Sequence, residues 1–315
     1  MIMRRRSLLL ALSLLALAPA CKRTPAGGAN KVKVQLNWVA EPEFGGLYAA
    51  RDAGAYQRAG LDVDIVAGGA GVPVIQLVAT GKVDFAIAGA DDVVIARARG
   101  IDVVAVFATF QSSPLGVMVH ESRGVGKLED LASGTLAIEP GLPFGAWLKK
   151  KYAFKGVTLV PYDGGVAKFL ADKEHAQQCY VTSEPIAVRK KGATPRVIAA
   201  RDTGFDPYAA VVVVRGALLK EKRELVKSFV AATAEGWKSY LADPKPANAT
   251  MGKLNPAMDQ ETFTAAAEAQ RPLVAPPGAT LGSMSEERFR TLGAQLVEIG
   301  IIDKAPPAAE CFQQP

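Results

Sequence analysis

Histidine and cysteine are scarce in this sequence, whose 315 residues include two histidines and three cysteines. The paired Cys-x-x-Cys and His-x-x-x-His spacings of zinc sites are absent, as are the Gly-x-Ser-x-Gly and His-Glu-x-x-His motifs of hydrolytic enzymes. His120 follows a predicted strand, and we expect it to be a structural hydrogen-bonding residue. The sequence therefore predicts a protein that is not an enzyme and that uses no cofactor and no metal.

Apolar runs long enough to cross a membrane are absent after the first twenty residues. Those first residues have the order of an export signal: the arginines Arg4–Arg6, an apolar run over 7–18, and small residues before Cys21. A cysteine at this point resembles a lipoprotein cleavage site. We therefore expect residues 1–20 to be a lipoprotein signal peptide and Cys21 to carry the lipid that anchors the protein to a membrane. The alternative is an ordinary cleaved signal that ends near a cysteine.

An excess of charge of one sign is also absent from the mature chain. Removal of residues 1–20 takes away three arginines and no acidic residue, which leaves 34 basic against 31 acidic side chains. This balance predicts no nucleic-acid partner. Residues 21–30 are small and polar, as in a flexible tether. The remainder is too long for one typical core, so we expect two lobes within a monomer.

Short apolar segments alternate with helical periodicity along the chain, which predicts an α/β fold with largely parallel sheets. The predicted strands are residues 32–36, 61–66, 83–88, 103–107, 115–119, 136–139, 158–160, 180–181 and 210–214. We assign residues 31–111 to the first part of lobe 1, 112–206 to lobe 2, and 207–315 to the return into lobe 1 and the C-terminal helices. The chain would cross between the lobes near 109–114 and 204–210. A ligand would bind between the lobes, at the carboxyl ends of the strands.

Seven loop segments combine aromatic, acidic and glycine residues. They are residues 36–38 (Leu-Asn-Trp), 41–50 (Glu-Pro-Glu-Phe-Gly-Gly-Leu-Tyr-Ala-Ala), 68–73, 81–88, 162–165 (Tyr-Asp-Gly-Gly), 178–185 and 254–256 (Leu-Asn-Pro). In this order they resemble the NMT1/THI5-like group of periplasmic binding proteins over essentially the whole mature chain. The resemblance implies a type II periplasmic-binding-protein fold, with two βα lobes joined by two hinge strands and a cleft between them. It also implies that a captured ligand is delivered by hinge closure to an ABC permease with its ATPase.

The predicted strand ends concentrate aromatic and acidic side chains, while lysine and arginine are scarce there. The candidate ligand-binding residues are Asn37, Trp38, Glu43, Phe44, Tyr48, Gly69, Asp91, Phe110, Phe144, Tyr162, Asp163, Tyr180, Thr182, Glu184 and Tyr208. For each aromatic residue the alternative is packing in the core. For the acids the alternative is capping of a helix N-terminus, particularly at Asp91 and Asp92. The glycine-rich loop at 68–73 lacks the lysine and hydroxyl residues of a P-loop, and we interpret it as a tight turn that donates hydrogen bonds to the ligand.

These side chains favour a small heteroaromatic ligand, because a flat ring stacks on aromatic residues and ring amino groups donate to carboxylates. Relatives of this kind bind thiamine-precursor pyrimidines or riboflavin, so we expect an aminopyrimidine first and a flavin second. Sulfonate or nitrate is a further alternative of the same type, although an anion must overcome the negative field. Two alternatives belong to other classes: a THI5-like enzyme of pyrimidine synthesis, and an extracellular sensor domain.

Two cysteines remain once Cys21 is assigned to lipid. Cys179 and Cys311 are an even number in an oxidising compartment, which permits a disulfide. Two separate thiols are the alternative, because spacing in sequence says nothing about distance.

Overall fold

The structure, a computed structural model, describes residues 29–315, and its described part contains the following strands and helices. The strands are β1 (Asn30–Gln35), β2 (Leu61–Val66), β3 (Phe85–Ala88), β4 (Val103–Ala108), β5 (Leu115–His120), β6 (Thr135–Ile138), β7 (Thr158–Pro161), β8 (His175–Tyr180), β9 (Pro195–Ala199) and β10 (Val211–Arg215). The helices are α1 (Gly45–Asp52), α2 (Ala55–Arg58), α3 (Val74–Ala79), α4 (Ala90–Ala98), α5 (Pro143–Lys151), α6 (Ala167–Ala171), α7 (Glu184–Lys190), α8 (Gly216–Glu221), α9 (Arg223–Ala242), α10 (Lys245–Leu254), α11 (Gln260–Val274), α12 (Glu286–Glu298) and α13 (Ala308–Cys311). Within residues 29–315 there is no helix of the length and apolar character that a membrane span requires. The predicted lipid anchor at Cys21 and the signal peptide lie outside the described residues.

Two five-stranded sheets organise the fold. The first has the order β2-β1-β3-β10-β4, and the second has the order β7-β6-β8-β5-β9. In each sheet four strands run in the same direction, and the fourth strand in the order, β10 or β5, runs antiparallel to both of its neighbours. The fold is therefore the two-sheet α/β architecture that the sequence predicted.

The chain changes sheets twice. It leaves the first sheet after β4 and enters the second at β5, and it returns between β9 and β10. The two connections lie side by side, since Thr109 N donates to Ala210 O at 2.8 Å. Arg288 of α12 binds both of them, with Nε on Asp206 O at 2.7 Å and Nη1 on Gln111 O at 2.6 Å. The first connection spans residues 109–114 and the second spans residues 200–210.

Large apolar clusters cover both faces of the first sheet. On one face Phe229 of α9 stacks on Phe85 of β3 with ring centroids 3.9 Å apart. Helix α9 also approaches α1 so closely that a Cβ on Gly236 would lie 2.2 Å from the Gly46 carbonyl oxygen. Glycine at these positions lets the two backbones meet, and this contact holds the start of α1 and the loop that precedes it.

Local predictions were wrong in three places, one of which is β9, where no strand was predicted. Residues 44–58 have helix-like spacing throughout and predict one helix, but it is interrupted because Gly54 takes a left-handed conformation (φ 71°) between α1 and α2. The strand predicted at 180–181 is longer: it is β8, which begins at His175. Its polar residues do not give the pattern of a buried strand in the sequence, yet they are buried in the fold. Gln177 and Gln178 are tolerated inside because their amides bond loop groups, Gly165 O and Glu139.

Candidate functional site

The loop after β1 is held from several sides at the carboxyl end of the first sheet. Gly68 N donates to Trp38 O at 2.8 Å, and a Cβ on Gly68 would lie 2.2 Å from Leu36 O, so the loops after β1 and β2 are in close backbone contact. From the other side Asn255 Nδ2 donates to Ala40 O at 3.2 Å, and Gln270 Nε2 donates to Pro42 O at 2.8 Å. The Trp38 side chain nevertheless remains 41% exposed. The fold thus presents a large aromatic ring to solvent on a well-supported loop.

Two glutamates follow Trp38 and are both half-buried. Burial raises the pKa of Glu43 to about 8, and the neighbouring carboxylates of Glu41 and Glu184 act in the same direction. Burial and the charge of Glu184 raise the pKa of Glu41 to about 7, against a hydrogen bond from Trp38 that favours the charged form. Since Glu184 lies after a strand of the second sheet, carboxylates from both lobes face one cleft.

Glu184 is the first residue of α7 and is held from within its own lobe. Its Oε1 accepts from the Tyr162 hydroxyl at 2.6 Å, and its Oε2 accepts from Tyr180 N at 2.8 Å. Burial raises the pKa of Glu184, while these two donors oppose that rise. Two segments at the carboxyl ends of β7 and β8 therefore fix one carboxylate in the cleft.

The start of α4 contributes two more acids. Asp92 accepts from Gly89 N at 3.0 Å, so the capping interpretation is confirmed for this residue. Burial, together with the charge of Asp92, raises the pKa of Asp91 to about 7. Burial is the largest cause of the raised pKa of Tyr180, and the negative charges of Glu43, Asp91 and Glu184 add to it. Asp91 thus joins the cleft, and we call Glu41, Glu43, Asp91 and Glu184 the acidic cluster.

Aromatic candidates divide into two groups. Trp38, Tyr162 and Tyr180 keep accessible surface at the cleft. Five others are buried, as the alternative of core packing requires, and their contact with a ligand stays a prediction: Phe44, Tyr48, Phe110, Phe144 and Tyr208. They stand near strand ends or helix starts, where sequence cannot separate a core residue from a binding residue.

Individual contacts explain these core positions. Phe144 stacks with Phe205 at 6.1 Å, and Phe44, Tyr48 and Phe110 pack within the apolar cluster of the first lobe. The Tyr208 ring lies against the Arg288 guanidinium at 4.0 Å, and its hydroxyl accepts from Ser285 N at 3.1 Å.

Four further candidates have differing surroundings. Asp163 is exposed, pairs with Lys168 at 3.0 Å and accepts from Gly165 N, so its side chain is held within its own loop, and its contact with a ligand stays a prediction. Thr182 is buried just before α7. Asn37 is half-buried, and its Oδ1 has no hydrogen-bond partner among the described residues. A Cβ on Gly69 would meet no atom within 4 Å, so that turn is open.

Sequence reasoning missed Glu41, which precedes Pro42 in the segment used for the resemblance but was not chosen as a site residue. A signal was present, since Glu41 lies only two positions before Glu43, and the short 3-10 helix Pro42–Phe44 keeps the two residues in one turn. Asn255 and Gln270 were missed as supports of this loop, and no local signal connects residues more than 200 positions apart.

The remaining thiols and imidazoles lie away from the cleft. Cys179 and Cys311 are both buried free thiols, so of the two alternatives the disulfide is not formed. Cys179 packs with Met118 in a small apolar cluster of the second lobe, whereas Cys311 lies in a different cluster that includes Phe289. His120, at the far end of β5, bonds Phe169 O at 2.6 Å and is a structural residue as expected. His175 starts β8 and bonds Thr135 at 2.7 Å.

Two cavities lie elsewhere in the molecule. One of about 300 Å³ is lined by Arg97, Asp102 and Lys220 at the opposite end of the first sheet. Another of about 270 Å³ lies beside Gly204 and Arg288 at the crossings. Neither has an acidic-cluster residue in its lining, and the cleft is favoured here because the loops of both sheets converge on it.

Known proteins resemble this chain in sequence and in fold. A family model described as "NMT1/THI5 like" matches residues 41–247. A riboflavin-binding protein of Chloroflexus aurantiacus is 26% identical over 73% of this chain and 67% of its own length. A formylaminopyrimidine-binding protein of Halalkalibacterium halodurans is 26% identical over 76% of each chain. A 4-amino-5-hydroxymethyl-2-methylpyrimidine phosphate synthase of Candida albicans is 24% identical over 75% of this chain and 74% of its own. The periplasmic aliphatic sulphonate binding protein SsuA of Escherichia coli superposes with a TM-score of 0.71 at 14% identity, over 91% of this chain and 92% of that one.

Proposed function

Because the chain belongs to the NMT1/THI5-like family, we propose that it is the solute-binding component of a bacterial ABC importer. It captures a small heteroaromatic amine between its two lobes and delivers it to a membrane permease with its ATPase. A thiamine-precursor aminopyrimidine is the favoured ligand and a flavin is the second. Relatives named as formylaminopyrimidine-binding and riboflavin-binding proteins support this choice.

One observation carries the proposal: an exposed indole stands beside carboxylates that come from both lobes. Trp38 offers a flat apolar face, and stacking on an aromatic ring contributes about 0.5–1.5 kcal/mol beyond area burial. Glu184 and Glu43 offer acceptors for ring amino groups, and such charge-assisted hydrogen bonds are the stronger kind. A ligand that contacts Glu43 and Glu184 together would hold the lobes closed, which is how a two-lobed binding protein signals occupancy.

Export and membrane anchoring belong to the same proposal. Relatives that bind solutes for import support an exported protein. The lipid anchor at Cys21 and the signal peptide at 1–20 rest on the sequence before residue 29 alone.

The enzyme alternative has less support from the cleft. A synthase of this family matches at 24% identity, yet neither histidine of the chain lies among the cleft loops, and Cys179 and Cys311 are buried in the lobes. A sensor that uses the same clamp differs only in its partner. Cross-linking to a permease rather than to a receptor would separate those two roles.

A thermal-shift screen of ligand-free protein tests the proposal. The panel holds thiamine-pathway pyrimidines, riboflavin, taurine and nitrate, and a ligand at about 100 times its Kd should add roughly 2.7 kcal/mol to the free energy of unfolding. We expect a pyrimidine or riboflavin to raise the melting temperature. We also expect Trp38→Ala to raise the Kd about tenfold by calorimetry, because the stacking surface is lost.

The matched control is Val297→Ala, which shortens another exposed apolar side chain far along the chain on α12. It should bind as wild type does. A response to taurine or nitrate alone would overturn the heteroaromatic ligand, and conversion of a pyrimidine to a new product would move the protein to the enzyme class.

A further inference from the structure

Helix α11 buries one polar side chain among apolar ones, that of Gln270. The residues of this buried stripe are Phe263, Ala266, Ala267, Gln270, Leu273 and Val274. Gln270 has no exposed surface, and its Oε1 has no hydrogen-bond partner within residues 29–315. A buried polar atom without a partner lowers the free energy of unfolding. Glutamine is therefore costly at this position, which indicates a role beyond packing in the core.

The nitrogen of the same amide binds the loop that carries Trp38. Gln270 Nε2 donates to Pro42 O at 2.8 Å, at a point between Trp38 and the start of α1. Pro42 is itself buried, so its carbonyl depends on this donor. Closer to the indole, Gly68 N donates to Trp38 O at 2.8 Å. The backbone that presents the exposed indole is thus held by the loop after β2 and by α11.

The two ends of α11 contact the second lobe and the connection between the lobes. At the start of the helix, Nζ of Lys190 in lobe 2 lies 2.6 Å from Oδ2 of the N-cap residue Asp259. At its end, Leu273 O accepts from Gln111 N at 2.8 Å and from Ser112 N at 3.2 Å. Both amides belong to the first connection between the lobes. Leu273 O can accept them because the last carbonyls of a helix have no partner within it.

One continuous helix therefore contacts the loop of Trp38, the second lobe and the hinge. Helix α11 spans Gln260–Val274, which at 1.5 Å per residue is about 22 Å. A movement of lobe 2 that shifts Lys190 acts on the start of this helix, and the Gln270 amide transmits the shift to Pro42. By reciprocity, a ligand that orders the Trp38 loop favours the contact of α11 with lobe 2.

We propose that Gln270 is a positioning residue that couples capture of the ligand at Trp38 to closure of the lobes, with α11 as the coupling element. The inference rests on the proposed function for its ligand and adds the route by which an occupied cleft reaches Lys190 and the hinge. Gln270 acts through Pro42 rather than through a contact of its own with the ligand. Coupling of this kind is shown by non-additive effects of substitutions at separate sites.

The variant Gln270→Met tests the coupling, because methionine fills a similar volume in the apolar stripe but cannot donate to Pro42 O. Calorimetry with riboflavin and with 4-amino-5-hydroxymethyl-2-methylpyrimidine measures binding. We expect the Kd to rise about fivefold, which corresponds to the net contribution of one hydrogen bond. Lys190→Ala should raise the Kd about two- to fivefold in wild type. In the Gln270→Met background the same change should leave the Kd nearly unchanged.

Tryptophan fluorescence provides a second readout that needs no ligand. Of the three tryptophans, Trp38 is 41% exposed, whereas Trp147 and Trp237 are buried. Quenching by acrylamide therefore reports on Trp38. We expect Gln270→Met to increase the quenching constant, because the loop loses one of its two backbone supports. Lys190→Ala should increase the constant in wild type and should not increase it further in Gln270→Met.

The matched control is Thr233→Val, which removes another buried hydrogen bond of lobe 1, the one between Thr233 and the Tyr56 hydroxyl at 2.9 Å. It should keep the wild-type Kd and quenching constant. Circular dichroism melts identify the folded variants, and Gln270→Leu replaces Gln270→Met if the latter does not fold. Unchanged quenching in a folded Gln270 variant, or equal effects of Lys190→Ala in both backgrounds, overturns the coupling. If neither riboflavin nor the pyrimidine binds wild type, the proposed ligand class falls, and the quenching measurements still decide the coupling.

Discussion

Glu41 and Glu43 lie two positions apart in the loop after β1, and their ionisation depends on surroundings that come from distant parts of the chain. Asn255 and Gln270 hold the loop backbone. Glu184 of the other lobe has a negative charge of its own, which helps to raise the pKa of Glu41. Each carboxyl is half-buried and has no cationic partner among the described residues. At the residue scale the cleft is therefore a place where folding makes ionisation harder.

This has a consequence for stability against pH. The folded-state pKa values of Glu41, Glu43 and Asp91 are about 7, about 8 and about 7, above their values in an unfolded chain. Between about pH 5 and pH 8 the folded protein therefore holds more protons than the unfolded chain, and the free energy of unfolding falls as pH rises. In Glu43→Gln we expect that fall to be smaller by roughly 1–3 kcal/mol, measured by urea unfolding of ligand-free protein across this window.

Asp259 provides an internal contrast for that measurement. Its pKa is lowered to about 2 by Lys190 first, so its contribution is complete above about pH 5 and does not vary within the window. Glu221→Gln, at an exposed position, should reproduce the wild-type pH profile. A Glu43→Gln profile parallel to wild type would contradict the shifted ionisation of Glu43.

At the scale of a single element, helix α7 links the cleft to a contact between the two lobes. Its first residue, Glu184, lies at the proposed ligand site, and its last residue, Lys190, contacts the other lobe. Lys190 Nζ lies 2.6 Å from Asp259 Oδ2 and 3.1 Å from Glu261 Oε2, at the N-terminus of α11. Asp259 also caps α11 through Thr262 N at 2.8 Å. One short helix thus carries both a ligand-facing group and an interlobe ion pair.

Loss of this ion pair should loosen the closed, ligand-bound state. We expect Lys190→Ala to raise the Kd about two- to fivefold, mainly through faster dissociation, because exposed ion pairs contribute about 0.2–1 kcal/mol. Stopped-flow measurement of ligand release checks this, and the effect should shrink at high salt.

The adjacent Lys191→Ala is the matched control, since Lys191 is exposed and forms no ion pair within residues 29–315. It should release ligand at the wild-type rate. If Lys190→Ala does the same at low salt, the contact has no part in closure.

Elements with clear periodicity were predictable from sequence. The apolar strand β4 lies where hydrophobic pattern and length placed it. Strand β8 was largely missed because its residues are polar, and its pairing with β5 and β6 decides its conformation. Strand β9 was missed for a related reason, because it pairs with β5, which lies far away in the sequence.

At the scale of the whole molecule, two neighbouring connections join the lobes, and Arg288 binds both of them. Ser113 N also donates to Asp206 at 2.8 Å, which ties the first connection to the second. Movement of the lobes must therefore bend two linked segments together. Such a hinge suits opening and closing about one axis.

The place of the whole molecule in the cell depends on residues before the described part. We expect wild type to fractionate with membranes and to be released by detergent, and Cys21→Ser to appear in the soluble exported fraction, because the attachment atom for lipid is removed. Immunoblots of cell fractions measure this, with Thr24→Ala as a control that should remain at the membrane. Soluble wild-type protein would favour the ordinary cleaved signal.

Candidate site residues were partly recoverable from sequence. Trp38, Glu43, Asp91 and Glu184 came from loops at strand ends, and the structure brings them to one cleft. Phe110 and Phe144 came from the same reasoning and lie in the core. The position of a residue near a strand end predicts that its backbone lies near the cleft. It does not predict the direction of the side chain, because that direction depends on which helix packs against the strand.

Sequence by itself determined the α/β class, the two crossings and the family resemblance, since hydrophobic period and loop motifs are local properties. Tertiary structure alone decided that Glu41 joins three other carboxylates, that Asp163 does not, and that Cys179 and Cys311 stay apart. The physical reason is that charge repulsion, burial and bond formation depend on distances in space. Those distances are set only when β1, β3 and β8 bring their loops together across two lobes.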